Sequence, residues 1–199
     1  MSRRSVVAGA AASTLGLPAR AGAGMVRVAL DTALGSMTIT LDTAHAPISA
    51  GDFLNYVDRN LFEGAAFYRT VRPDDDINPV RIDVIQGGLL DDKKMLPPIA
   101  HEPTSKTGLR HRNGTLSIGR DTPGTGSAGA FFICIGDQPA LDFGGKRNPD
   151  GQGFAAFGQV VRGMDVVRRI WRSPVDDRAT GMAHEMLTPP IPILGARRL

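Results

Sequence analysis

The 199-residue sequence predicts a mainly β protein, an antiparallel barrel or sandwich, on three observations. Apolar and polar residues alternate through many short runs, the signature of half-buried strands. The 24 glycines and 14 prolines supply turns between those runs. Only two segments carry helical periodicity, without the regular strand–helix alternation of a doubly wound sheet. Hydrophobic residues make up 42% and charged residues 22%, the composition of a soluble domain with a real core. No run long enough to span a bilayer as a helix lies in the body of the chain, which excludes a multi-span membrane protein.

The elements follow in order. Val26, Val28 and Leu30 alternate with polar or small residues, as do Met37, Ile39 and Leu41, so the two runs read as a hairpin around Ala33, Leu34 and Gly35. Pro47 opens a helix over 48–58, with Phe53, Leu54 and Val57 on one face. Strands are expected over 66–71, 84–86, 115–118, 131–135 and 154–161. A second helix fits 164–172, turning Val166, Val167, Ile170 and Trp171 inward, and 191–194 reads as a closing strand.

Residues 1–23 stand apart. Arg3 and Arg4 precede a mildly apolar stretch, and Ala19-Arg20-Ala21 and Ala21-Gly22-Ala23 are small-residue cleavage patterns. The arginine pair resembles a twin-arginine signal, so the protein is expected to be exported, to the periplasm, with 24–199 as a single domain. A start upstream of the true one at Met25 is the plainer alternative. Without Arg3, Arg4 and Arg20, Lys+Arg falls from 23 to 20 against Asp+Glu 20, and the net charge from +3 to 0. A neutral body has no electrostatic footprint for nucleic acid, and the working form is expected to be a monomer.

Several chemistries are poorly supported. Cys134, the single cysteine, sits in an apolar run and reads as inert core. Gly124-Thr125-Gly126-Ser127-Ala128-Gly129 matches G-x-G-x-x-G, but a strand follows where a dinucleotide site needs a helix. The four histidines are dispersed, so no zinc site is expected. Asp74, Asp75 and Asp76 read as a solvated loop rather than a cation site, and Asp91 and Asp92 likewise. Ser127 lacks the surroundings of an activated nucleophile.

What remains is a set of strand motifs without nucleophile, base or metal. They stand as Phe67-Tyr68-Arg69-Thr70-Val71, Val84-Ile85-Gln86-Gly87-Gly88, Asn113-Gly114-Thr115-Leu116-Ser117-Ile118, Ala130-Phe131-Phe132-Ile133-Cys134, Leu141-Asp142 and Phe157-Gly158-Gln159-Val160. In order and spacing they resemble the cyclophilin family of peptidyl-prolyl cis–trans isomerases, from about Val26 to Trp171.

The resemblance implies a closed eight-stranded antiparallel β-barrel capped by two α-helices, with the active groove on the outer wall. It implies that Arg69 is catalytic, and that Phe132, Val84 and Leu141 take the proline ring. Gln86 then orients the arginine and the substrate backbone, with Tyr68, Arg120, Asp121 and Phe154 along the groove. No cofactor or metal is implied, and the substrates are proline-containing polypeptides. Departures are Asp83 where a phenylalanine is common, Ala130 and Ala140 in place of glutamine and an aromatic residue, and an insertion over 72–79. They predict reduced or shifted activity and weak cyclosporin binding. Two other readings are carried: a catalytically weak proline-peptide binding module or chaperone on the same fold, and a barrel holding a small ligand in its interior.

Overall fold

The alternating runs at the start of the chain form the hairpin that their period dictates. In the computed structural model, which describes residues 24–176 and 178–199, β1 (Met25–Thr32) pairs antiparallel with β2 (Gly35–Asp42). Its register runs from Met25↔Asp42 to Thr32↔Gly35, which puts Val28, Leu30, Met37, Ile39 and Leu41 on one buried face. The proposed export segment, 1–23, lies outside the described residues.

Six further strands follow: β3 (Ala66–Val71), β4 (Val84–Gly88), β5 (Thr115–Ile118), β6 (Ala130–Cys134), β7 (Ala155–Arg162) and β8 (Met186–Arg198). They close in the order β1-β2-β7-β5-β6-β4-β3-β8, with every pairing antiparallel. Closure leaves no open sheet edge, and eight strands enclose just enough room for side chains. β8 is far longer than the 191–194 expected. Pro189, Pro190 and Pro192 mask its periodicity, although it pairs with both β1 and β3 and so seals the barrel.

Aromatic residues fill the interior. Phe53, Phe67, Phe131 and Phe157 are fully buried, and the Phe53 ring lies 5.4 Å from those of both Phe131 and Phe157. The small-ligand reading therefore loses the cavity it requires. Phe53 comes from α1 (Pro47–Asp58), which starts on a proline, as a first helical turn tolerates. Of the three α-helices among the described residues, α1 and α3 (Met164–Trp171) are the two expected; α3 buries Val166, Val167 and Ile170 against the same core. The third, α2 (Thr104–Thr107), is one turn long and too short to show a periodicity.

Gly87 shows how tightly the wall is packed. A Cβ there would lie 2.7 Å from Cδ1 of Phe67, so only glycine lets that ring pack under β4. The remaining aromatic residue of the pair on β6, Phe132, faces the other way and begins a second apolar cluster outside the barrel, with Val71, Ile82, Val84, Cys134 and Leu141.

Candidate active site

Three neighbouring strands set the site. Across β3, β4 and β6, Arg69 pairs with Gln86, and Gln86 with Phe132. Arg69 reaches this row only because β3 carries a bulge. Phe67 faces Gly87 while Arg69 faces the adjacent Gln86, so Tyr68 is the extra residue. In an unbulged strand, residues two apart share a face, and Arg69 would follow Phe67 into the core. The bulge reverses that parity, and Tyr68, Arg69 and Val71 all face the outer wall.

The row borders a cavity of about 260 Å³. Val71, Ile82, Val84, Phe132, Leu141 and Phe154 give it an apolar floor, and Arg69 and Gln86 stand at one side. The Phe154 ring meets Phe132 edge-on at 5.2 Å, a favourable aromatic arrangement. Asp83 does not line this cavity. Ile82 and Phe154 supply apolar wall, so the absence of a phenylalanine at 83 leaves the floor closed.

Behind Phe132 lies a buried polar chain. His111 stacks on the Phe132 ring at 5.9 Å, with its Nδ1 2.8 Å from Asp142 and its Nε2 3.0 Å from Ser117. Burial raises the Asp142 carboxyl, but its hydrogen bonds with His111 outweigh this and leave it below the usual range. The order Ser–His–Asp is that of a hydrolytic triad, yet Ser117 is 0% exposed, so no substrate meets its hydroxyl. The chain acts as a fixed backing for Phe132. Cys134 is also buried, and burial pushes its thiol well up, in keeping with an inert side chain.

A second cavity, of about 770 Å³, continues the groove past Arg69 and Gln86. Tyr68, Met95, Arg120, Asp121, Ala130 and Met186 are among its walls. Burial raises the Tyr68 hydroxyl above its ordinary value. Arg120 lines both cavities but is not free to donate to a ligand. Its Nε and Nη2 donate to the Gly153 carbonyl, Nη1 to the Asp121 carbonyl, and both Nη atoms to Asp150. The guanidinium also lies over the Phe154 ring at 5.2 Å, so Arg120 serves as wall.

Arg69 is tethered. Its Nη1 donates to Gln86 Oε1 at 3.1 Å, and its Nε and Nη2 donate to Glu185 Oε2 at 2.7 and 2.5 Å. Glu185 went unnoticed in the sequence because it lies 116 residues away in an irregular stretch. The acidic loop also needs correction. Asp76 is only 6% exposed and accepts from the backbone N–H groups of Asn78 and Ile82 and from Arg147. This ties the insertion to the loop after Leu141, and both line the smaller cavity through Asn78 and Arg147. Asp91, exposed as a solvated loop requires, caps the short 3-10 turn at Asp92–Lys94 by accepting from Lys93 N–H. Among the described residues, no group of three or more His, Cys, Asp or Glu side chains could hold a metal ion.

A groove with an apolar floor for a small ring and an oriented guanidinium beside it is built to hold a segment of polypeptide, not to attack one. The barrel thus defines a peptide-binding protein whose chemistry is conformational. A family model described as cyclophilin type peptidyl-prolyl cis-trans isomerase/CLD matches residues 25–197. Peptidyl-prolyl cis-trans isomerase A of Dickeya dadantii is 31% identical over 183 residues, which cover 90% of this chain and 88% of that one. A peptidyl-prolyl cis-trans isomerase of Acinetobacter baylyi is 31% identical over 174 residues, 85% and 84% of the two chains. The fold is similar to that of a cyclophilin type peptidyl-prolyl cis-trans isomerase from Cryptosporidium parvum, with a TM-score of 0.67 at 18% identity, over 88% of this chain and 98% of that one. The chain belongs to the cyclophilin-type peptidyl-prolyl cis–trans isomerases, and it is an isomerase.

One titration bears on stability. Burial raises the Asp83 carboxyl from 3.8 to about 6, a shift that the nearby Trp171 and Arg72 only partly oppose, and its Oδ1 has no hydrogen-bond partner among the described residues. The folded protein therefore holds this proton more tightly than the unfolded chain. The neutral form is present in both states below pH 3.8, and the penalty for ionising develops as pH rises through about 6. Asp83→Asn is expected to raise the melting temperature at pH 7.5 and to lose that advantage toward pH 4. A pH series of thermal melts checks this, and an advantage equal at both ends would exclude Asp83 as its source.

Proposed function

We propose that Arg69 is the catalytic residue, and that the cavity over Phe132 receives the proline ring of an extended polypeptide. The reaction sets the requirements. Rotation about a peptide bond faces a barrier of roughly 18–20 kcal/mol because the nitrogen lone pair is delocalised into the carbonyl. X–Pro bonds populate both isomers and exchange over tens to hundreds of seconds, slowly enough to limit folding. No bond breaks, so catalysis needs only a site that favours the twisted amide over either planar form.

The observation that carries the proposal is the placement of a tethered guanidinium at the rim of an apolar, ring-sized cavity. As the amide twists, the prolyl nitrogen regains its lone pair and becomes an acceptor. Arg69 keeps N–H groups on Nη1 and Nη2 beyond those given to Gln86 and Glu185, and these donate to that nitrogen and steady the flanking carbonyl. Phe132, Val84 and Leu141 hold the ring while the acyl side turns, with Phe154 as a side wall. Gln86 fixes the guanidinium from below. Tyr68, Asp121 and the wall of Arg120 border the path of the chain beyond the ring.

We further propose that the substrates are proline-containing polypeptides folding outside the cytoplasm, reached through the twin-arginine-like segment with Arg3 and Arg4. The neutral body supports a role away from nucleic acid, and the closed barrel, with no free strand edge, supports a monomer.

The cis-to-trans rate of a short X–Pro peptide tests the catalytic reading. Arg69→Ala is expected to lower kcat/KM by roughly a hundredfold or more, the scale of losing an oriented donor, with the fold intact by circular dichroism. Equal rates near the uncatalysed value in both proteins would leave the groove a binding site only, and equal fast rates would exclude Arg69 as the catalytic residue. Export is tested by fusing residues 1–23 to a reporter: periplasmic delivery, abolished when Arg3 and Arg4 become lysine, is expected, and a cytoplasmic reporter would overturn it.

A further inference from the structure

We propose that Glu185 is a positioning residue for the isomerisation, holding the Arg69 guanidinium in its donating orientation from beneath the groove; this rests on the reading of Arg69 given above. Glu185 is 1% exposed and ends a 3-10 turn, Gly181–Glu185, that leads into β8. It lines neither cavity of the groove, so it meets no substrate and acts through Arg69.

The bonding of the pair is lopsided in a way that stability does not explain. Both contacts go to Oε2, from Nε and Nη2, while Oε1 is buried without a hydrogen-bond partner among the described residues. A buried carboxylate left half-satisfied contributes little to folding, and an apolar residue of similar volume would serve a packing role as well or better. What the arrangement does supply is direction. An arginine side chain has several rotatable bonds, and at the rim of a groove it samples many orientations. Glu185 engages one edge of the guanidinium and Gln86 engages Nη1, which leaves one N–H on each Nη atom. Those two form the fork that the twisted amide meets.

The turn carries Met182, and the first residue of β8 is Met186; both border the groove, 58% and 36% exposed. The C-terminal segment is therefore part of the site and not a tail: one side chain aims the catalytic group, and its neighbours border the substrate path.

The test is the steady-state rate of X–Pro isomerisation for Glu185→Gln, which keeps volume and an acceptor but removes the charge, alone and combined with Arg69→Ala. The single variant is expected to lower kcat by roughly ten- to a hundredfold, the scale of a misplaced catalytic group, with KM little changed. In the Arg69→Ala background the same substitution is expected to add no further loss. Wild-type kcat in a folded Glu185→Gln protein, or an undiminished loss in that background, would overturn the proposal. Full activity in Arg69→Ala alone would instead overturn the catalytic reading on which it rests. If Glu185→Gln does not fold, the Nε–H resonance of Arg69 in the wild-type protein decides: slow exchange with water supports the tether, and fast exchange excludes it.

Discussion

Hydrogen-bond register across three strands is the constraint on which the site depends. Arg69, Gln86 and Phe132 occupy one row across β3, β4 and β6, and β5 continues it with Ser117 opposite Phe132. Neighbouring strands stand roughly 4.8 Å apart, so the row spans about 10 Å from arginine to phenylalanine. A slip of one residue in any pairing would send its member inward. The filled interior forbids that: Phe67, Ile85, Phe131 and Ile133 occupy the alternate places, each fully buried. Core packing and groove geometry are thus one condition on the same strands.

The bulge at Tyr68 is the exception that completes the row. It allows a strand to bury Phe67 and still present Arg69, and the neighbouring strands accommodate it on both sides. Around this row the supports are buried polar contacts of distant origin. Glu185 and Gln86 hold Arg69, His111 backs Phe132, and the Asp76–Arg147 pair closes the inserted loop over the smaller cavity. The insertion thereby forms part of the wall of the smaller cavity through Asn78, with Ile82 just beyond it.

Much of this was legible in the chain. Period two placed the first hairpin, and short apolar runs between turns placed the strands from β3 to β7. Alternation lets Phe131 and Phe132 face opposite ways, and the resemblance assigned Phe132 to the groove. The motif residues Arg69, Val84, Gln86, Phe132, Leu141 and Phe154 do converge on one cavity. What was not legible depends on contacts between distant segments. A bulge leaves no mark in the hydrophobic pattern of a six-residue strand, so the orientation of Arg69 followed only from resemblance. Glu185 went unnoticed and Asp76 read as part of a solvated loop, because burial by a loop carries no periodicity. Arg120 was expected along the groove, but nothing in its neighbours announces its bonds to Asp150 and the Gly153 carbonyl. β8 was shortened by its prolines, although those residues leave its pairing with β1 and β3 intact.

In the proposed reaction Arg69 works as an oriented fork of donors rather than as a positive charge near the amide. Arg69→Lys separates the two, because lysine keeps the charge and loses the planar fork and the side-on contact with Glu185. The direct measurement is its cis-to-trans rate on an X–Pro peptide beside wild type and Arg69→Ala. The account predicts a rate for the lysine variant close to that of the alanine variant, with peptide affinity retained. A lysine variant that keeps most of the wild-type rate would contradict it.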